Sequence, residues 1–187
     1  MAVEEPKFTS VRRDGKFEVR DYPAIVAAEV TVTGAQGEAA RKGFRLLAGY
    51  IFGGNKRKQS IAMTAPVAQV PTSEKIAMTA PVTQTQLGDA WVVRFTMPSA
   101  FTLATLPEPN NPAVALRDVP AARFAVLVFS GRAKADVVAT KMAELDAWVS
   151  AQNLTKTGAI SLSQYNPPWT LGFMRRNEVM VPIAAGD

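Results

Sequence analysis

The 187-residue chain contains no histidine and no cysteine. The side chains left for chemistry are carboxylates, lysines, arginines, tyrosines and methionines. Ser-His-Asp and Cys-His nucleophile arrangements are excluded, as is any thiolate-held metal. Carboxylates and lysines could still move protons, but only with strong pKa tuning. The grouping Asp21, Tyr22 and Glu29 has no spacing diagnostic of such work. The chain is therefore not expected to be an enzyme, and no catalytic residue is assigned. Two other patterns suit binding. Arg41 and Arg45, spaced i and i+4, share one side of a helix with Ala48 and Phe52, and guanidinium forks suit carboxylates. Met63 and Met78 hold matching positions in two identical IAMTAPV segments, 61–67 and 76–82. The small residues between them leave room for something flat, although the ordinary use of methionine is to fill gaps in a core. The run Lys56, Arg57 and Lys58 is short and has no interleaved aromatics. Even with a net charge of +5, it reads as a solvated loop and nucleic-acid binding is not expected.

The elements that must position these residues follow from an internal repeat. At 48% apolar and 20% charged, residues 1–187 fit one globular α+β domain. FEVRDYPAIVAAEVTVTG, from Phe17, aligns without gaps with VALRDVPAARFAVLVFSG, from Val114. The shared positions are Arg20/Arg117, Asp21/Asp118, Pro23/Pro120, Ala24/Ala121, Ala28/Ala125 and Gly34/Gly131. Each segment reads as a long strand with a bulge or edge at its proline, and each Arg-Asp pair as a local turn salt bridge. A helical stripe follows each: Ala40, Phe44, Leu47 and Ile51, widened by Ala39, Gly43, Leu46 and Tyr50, then Val138, Met142, Leu145 and Val149. Gly53 and Gly54 stop the first helix, and Asp136 is the expected cap of the second. Strands after each helix complete two β-α-β-β halves, about 17–98 and 114–183, joined by a proline-rich connector at 99–112. The IAMTAPV copies are expected as paired strands of a hairpin turned at 71–74, with a third strand over 91–97. In the rigid loop 165–169, Trp169 is expected, with Phe173, to cap the core, while Glu178 pairs with an arginine.

Four motifs together carry a family resemblance over nearly the whole chain, from about Pro6 to Ile183. They are FEVRDY (Phe17–Tyr22), GFRLLAGYIFGGN (43–55), the two IAMTAPV copies and YNPPWTLGFMRRNEV (165–179). The chain resembles the SOUL haem-binding protein family. The resemblance implies two pseudo-symmetric halves in a distorted antiparallel sheet or barrel with two helices, a fold shared with effector-binding domains of drug-sensing regulators. It also implies a shallow apolar pocket for haem or another tetrapyrrole, with Arg41 at its rim facing the propionates. Helix geometry adds Arg45, and Arg94 is a third candidate on the strand after the hairpin. Phe44, Ala48, Met63 and Met78 complete the expected haem-contacting set. An axial histidine proposed for some members has no counterpart here. Iron would then be ligated by methionine, tyrosine, lysine or water, or held by enclosure alone. The metal ligand stays open, with Met63 and Met78 the first to test.

The expected function is a haem-binding carrier or buffer, haem being a non-obligatory cofactor. A general small-molecule effector-binding module and a protein-interaction domain, acting through Trp169 and the basic loop, are the alternatives. The expected partner is haem, another tetrapyrrole or a small apolar anion, and a protein partner stays open. No segment is long and apolar enough to span a bilayer. The acidic N-terminus lacks a signal-peptide core, which reads as cytoplasmic, or as periplasmic if a leader was removed.

Overall fold

The structure, a computed structural model, describes residues 4–57, 73–167 and 169–186. Two helices pack on a curled antiparallel sheet, the α+β class expected from the sequence. Each repeat segment, however, forms two strands instead of one. Pro23 separates β2 (Phe17–Tyr22) from β3 (Ile25–Thr33), and Pro120 separates β8 (Ala115–Val119) from β9 (Ala122–Ser130). Proline brings no N–H to the ladder, so each long strand breaks where a bulge was expected. The last matched pair, Gly34 and Gly131, adopts φ of 120° and 109°. Side-chain-bearing residues avoid that region, and there each chain turns from strand into helix: α1 (Gln36–Ile51) and α2 (Ala135–Ala151). After the helices come β5 (Val82–Leu87) and β6 (Ala90–Thr96), then β10 (Ser161–Gln164) and β11 (Arg176–Ile183). Among the described residues each half thus contains ββαββ, one strand more than expected. The outer strand β1 (Thr9–Asp14) and the short pair β4 (Asn55–Lys56) and β7 (Glu108–Pro109) complete the set.

Among the described residues the large sheet runs in the order β1-β2-β9-β11-β10-β5-β6-β3-β8. The halves exchange strands. β2 lies on β9, with Phe17 opposite Leu127, and β3 lies on β8, with Ile25 opposite Val119. Because β2 continues into β3 and β8 into β9, these pairs form one ribbon bent at Pro23 and Pro120, and the sheet curls into a half-barrel. In its middle β5 meets β10, and the Thr83 and Ser163 hydroxyls lie 3.1 Å apart.

Of the expected IAMTAPV hairpin only the second copy lies among the described residues, and it is not a regular strand before Val82. Residues 76–81 carry a bridge from Thr79 to Glu4 and a cis Ala80–Pro81 bond, and ladder pairing begins only at Val82. The Ile76 N–H is instead given to the Ile51 carbonyl at the end of α1, 2.8 Å away. The first copy, with Met63, lies outside the described residues. The hairpin that does form joins β5 to β6 through Gly88 and Asp89.

Helix placement follows the apolar stripes. α1 buries Ala39, Gly43, Leu47, Tyr50 and Ile51 against Val30, Val93 and Phe95. α2 buries Val138, Leu145 and Val149 against Val19, Leu127, Val179 and Val181. The helix cap is Lys134, with no side-chain hydrogen bond; Asp136, the expected cap, lies in the first turn, where its charge favours the helix dipole.

Tyr50 ties α1 to the segment before β7: its buried hydroxyl donates to the Pro107 carbonyl at 2.8 Å. Burial, with the charge of Glu74, raises its pKa from 10.0 to about 12. A raised folded-state value means this contribution is intact below pH about 10 and is lost as pH climbs toward 12. Tyr50→Phe is expected to cost about 1–3 kcal/mol in urea unfolding at neutral pH and to make the alkaline loss of stability shallower.

Candidate functional site

Period two sorts the sheet into two faces. Val93 and Phe95 turn toward α1, while Val92, Arg94 and Thr96 of the same strand line the concave face, as do Thr83, Thr85, Ser161, Ser163 and Met180. Among the described residues no helix covers this second face. It holds a cavity of about 410 Å³ bordered by Ile25, Val92, Arg94, Phe124, Tyr165 and Met180. A neighbouring cavity of about 890 Å³ is bordered by Ile25, Val26, Met97, Phe101, Val119 and Pro120. Both touch Pro6, Pro23 and Pro120, so the bent ribbon and the N-terminal segment form their common wall.

The charges on this face are mutually satisfied. Arg94 Nη2 lies 2.8 Å from Glu29 Oε2, and Arg117 Nε lies 3.1 Å from Glu29 Oε1. A denser network sits beside them. Arg20 donates to Glu18 at 2.8 Å, to Glu178 at 3.0 Å and to the Tyr22 hydroxyl at 3.2 Å. The Tyr165 hydroxyl donates to Glu178 at 2.7 Å, and the Arg176 guanidinium stacks over the Tyr165 ring at 3.6 Å. Burial would raise the Glu18 carboxyl, but donation from Ser10 and Arg20 outweighs it and holds the group below its ordinary value. Burial disfavours a charged Arg20, yet Glu178, Tyr22 and Glu18 together outweigh it and raise the group above its ordinary value. Burial, reinforced by Glu178, pushes the Tyr165 hydroxyl far up. With Arg20, Arg94 and Arg117 in ion pairs, the cleft offers apolar walls and hydroxyls. Among the described residues no group of three or more acidic side chains could hold a metal ion.

The residues singled out from sequence fall on two faces. Arg41 and Arg45 are exposed on α1, and Phe44 and Ala48 are half-buried beside them; the Phe44 ring meets Phe95 edge-on at 5.4 Å. Met78 is exposed on the segment fastened to the end of α1. Arg94 stands across the sheet, on the concave side, in its ion pair with Glu29.

Two local expectations are corrected. The repeated Arg-Asp pairs are not turn salt bridges: Arg20 reaches Glu18 and Glu178, Asp21 is held by Arg123 at 2.8 Å, and Arg117 reaches Glu29. Successive strand residues point to opposite faces, so neighbours in sequence cannot meet. Trp169 and Phe173 do not cap the core but are exposed. Glu178 does pair with an arginine, Arg20. Glu18, Arg20, Tyr165 and Glu178 were missed as a site from the sequence. The usable signal was the alternation of Glu18 and Arg20 with Phe17 and Val19 in a strand flanked on both sides.

The family described as SOUL heme-binding protein matches residues 3–182 of the chain. No curated protein matches it in sequence. Among solved structures, the EcmrR C-terminal domain is similar at 10% identity and a TM-score of 0.65, covering 90% of this chain and 96% of that one. A hydrolase from Listeria innocua is similar at 14% identity and a TM-score of 0.57, with 93% and 94% covered. A conserved protein from the same organism is similar at 12% identity and a TM-score of 0.55, with 90% and 92% covered. At such identities these likenesses concern the fold alone. No helix among the described residues is long and apolar enough to cross a membrane.

Proposed function

Because the chain belongs to the SOUL heme-binding protein family, we propose that it binds haem or a related tetrapyrrole reversibly, as a carrier or buffer rather than as an enzyme. One observation carries this reading: Arg41 and Arg45 are exposed on one side of α1 and have no hydrogen-bond or ion-pair partner among the described residues. Arg94 differs, being already engaged by Glu29. Two uncommitted guanidinium groups one helical turn apart fit a pair of propionates. Phe44, Ala48 and the exposed Phe52 add apolar surface along the same helix. Met78 offers a thioether near its end, and Met63 is kept as the other proposed ligand. Bound haem would supply an iron open to thioether or water, and the protein's part is to hold and shield it.

Enclosure is energetically sufficient. Burying roughly 400 Å² of apolar ligand surface contributes on the order of 10 kcal/mol. Association costs of roughly 4 kcal/mol or more leave micromolar affinity, which suits loading and release.

Haem titration followed at the Soret band tests the proposal. Saturable binding is expected at micromolar haem, weakened about tenfold in Arg41→Ala/Arg45→Ala, since the partners are solvent-exposed and each is worth little alone. Iron-free protoporphyrin is expected to bind within about tenfold of haem if enclosure dominates. The absence of a saturable change would end the reading. The two concave cavities support a second one, a small-molecule effector site. It is favoured if Ile25→Trp, which fills the wall common to both, abolishes binding while the double arginine variant leaves it intact.

A further inference from the structure

The pseudo-symmetric halves spend very different lengths of chain on the same connection. Between β5 and β6 the turn is Gly88 and Asp89 alone, whereas residues 165–175 separate β10 from β11. The fold does not require the longer loop. Nor is it loosely held: Arg175 Nε donates to the Thr170 carbonyl at 2.9 Å, and the Asn166 side chain accepts the Arg176 N–H at 2.6 Å. A 3-10 turn, Gly172–Met174, sits within it. Yet this fastened loop turns Trp169, Leu171, Phe173 and Met174 outward, at 59% to 84% exposure. Ordered backbone with its large apolar side chains in solvent is preorganised to meet something apolar.

The surroundings are basic. From Tyr165 to Arg176 and from Ser130 to Lys134, the chain carries Arg132, Lys134, Arg175 and Arg176 and no acid. The Arg132 side chain lies directly against Gly172, 3.3 Å from where a Cβ would stand. Arg176 is tied to Glu5 and Glu178, but Arg132 and Lys134 have no ion-pair partner among the described residues. An apolar tip beside unpaired cations fits a surface that is anionic outside and apolar beneath. Aromatic and aliphatic tips ringed by Lys and Arg are the composition that seats in a headgroup layer, with the cations on anionic lipid.

We propose that loop 165–175 is a membrane-docking tip that inserts Trp169, Leu171 and Phe173 into the interfacial layer of an anionic lipid surface, with Arg132 and Lys134 on the headgroups. The site lies apart from α1 and does not depend on any tetrapyrrole being bound.

The test is co-sedimentation of the full chain with vesicles of equal parts phosphatidylserine and phosphatidylcholine, and with phosphatidylcholine alone. Trp169 fluorescence is expected to shift to the blue on the anionic vesicles, and partitioning onto neutral ones to be about tenfold weaker. Trp169→Ser/Phe173→Ser is expected to lower partitioning at least about tenfold, with an unchanged thermal melt because both side chains are exposed. Arg132→Gln/Lys134→Gln is expected to reduce binding to the anionic vesicles only. Equal pelleting of wild type and the Trp169→Ser/Phe173→Ser variant, or no pelleting on either vesicle, overturns the proposal. A dimer in gel filtration that the same variant abolishes also overturns it, assigning the tip to a second copy.

Discussion

Arg20→Ala is expected to cost about 3–5 kcal/mol of folding stability, a large part of the 5–15 kcal/mol a domain of this size holds. The side chains of Arg20, Glu18 and Glu178 are 3% to 5% exposed. Removing the cation strands two carboxylates in a space that water does not reach, and the cost is their unpaired burial rather than the lost bonds. The same reasoning separates this variant from replacement of the whole network. Glu18→Leu/Arg20→Met/Glu178→Leu is expected to be close to neutral, or at least far milder than Arg20→Ala, because no charge remains to be solvated. Urea unfolding of the two variants decides the matter, and equal losses would mean that shape, not charge, matters here. The pH dependence has a defined sign. The Glu18 carboxyl is depressed below its ordinary 4.5, so its contribution is present above that value and disappears as pH falls through the folded value. In Arg20→Ala the acid-side loss is expected to begin at higher pH, since Ser10 and Arg13 remain but Arg20 no longer helps them to depress Glu18.

Gly43→Ala is the second large effect, and its sign is contrary to helix propensity. In a helix, alanine is better than glycine by about 1 kcal/mol. Here a Cβ on Gly43 would stand 2.5 Å from Val93 Cγ2 and 2.6 Å from Val93 Cβ, and Val93 is fully buried in β6. Overpacking of this kind costs about 1–3 kcal/mol, so the contact wins and the variant is expected to be destabilised. Val93→Ala makes room, and the double variant Gly43→Ala/Val93→Ala is expected to be more stable than the sum of the single effects by about 1 kcal/mol or more. Additive effects would show that α1 moves freely. A helix pushed away from β6 also carries Arg41 and Arg45 with it, so haem affinity is expected to fall in Gly43→Ala although no ligand contact is changed.

The sequence made some of this legible and concealed the rest for physical reasons. Helix α1 was legible because its apolar positions repeat at helical spacing and end at Gly53, whose φ of 118° few other residues adopt. The repeat was legible as well, down to the paired glycines that open each helix. Strand partners were not. Period two says which face a residue takes but not which strand lies alongside, so the crossing of β2 to β9 and β3 to β8 has no local signature. The IAMTAPV segments alternate as strands do, yet in the described second copy backbone bonds go to Glu4 and Ile51, which alternation does not foretell. Arg20 was paired with its neighbour Asp21 because its partner Glu178 lies 158 residues further on. Trp169 was expected inside because a loop so rich in proline often braces a fold. What held it outside was the bonding of its own loop, which composition does not reveal.

The exchanged ribbon makes the two halves depend on each other. The second strand of each half pairs within its own half, β3 with β6 and β9 with β11, whereas the first strand crosses over, β8 onto β3 and β2 onto β9. A half taken alone therefore leaves one edge of its second strand open, and an identical copy across a two-fold axis would close it with its own first strand. The molecule thus has the form of two strand-exchanging halves carried on one chain and joined between β6 and β8. On one chain the halves need not be identical, and they differ where nothing pairs them: one has a two-residue turn at Gly88 and Asp89, the other the loop that carries Trp169.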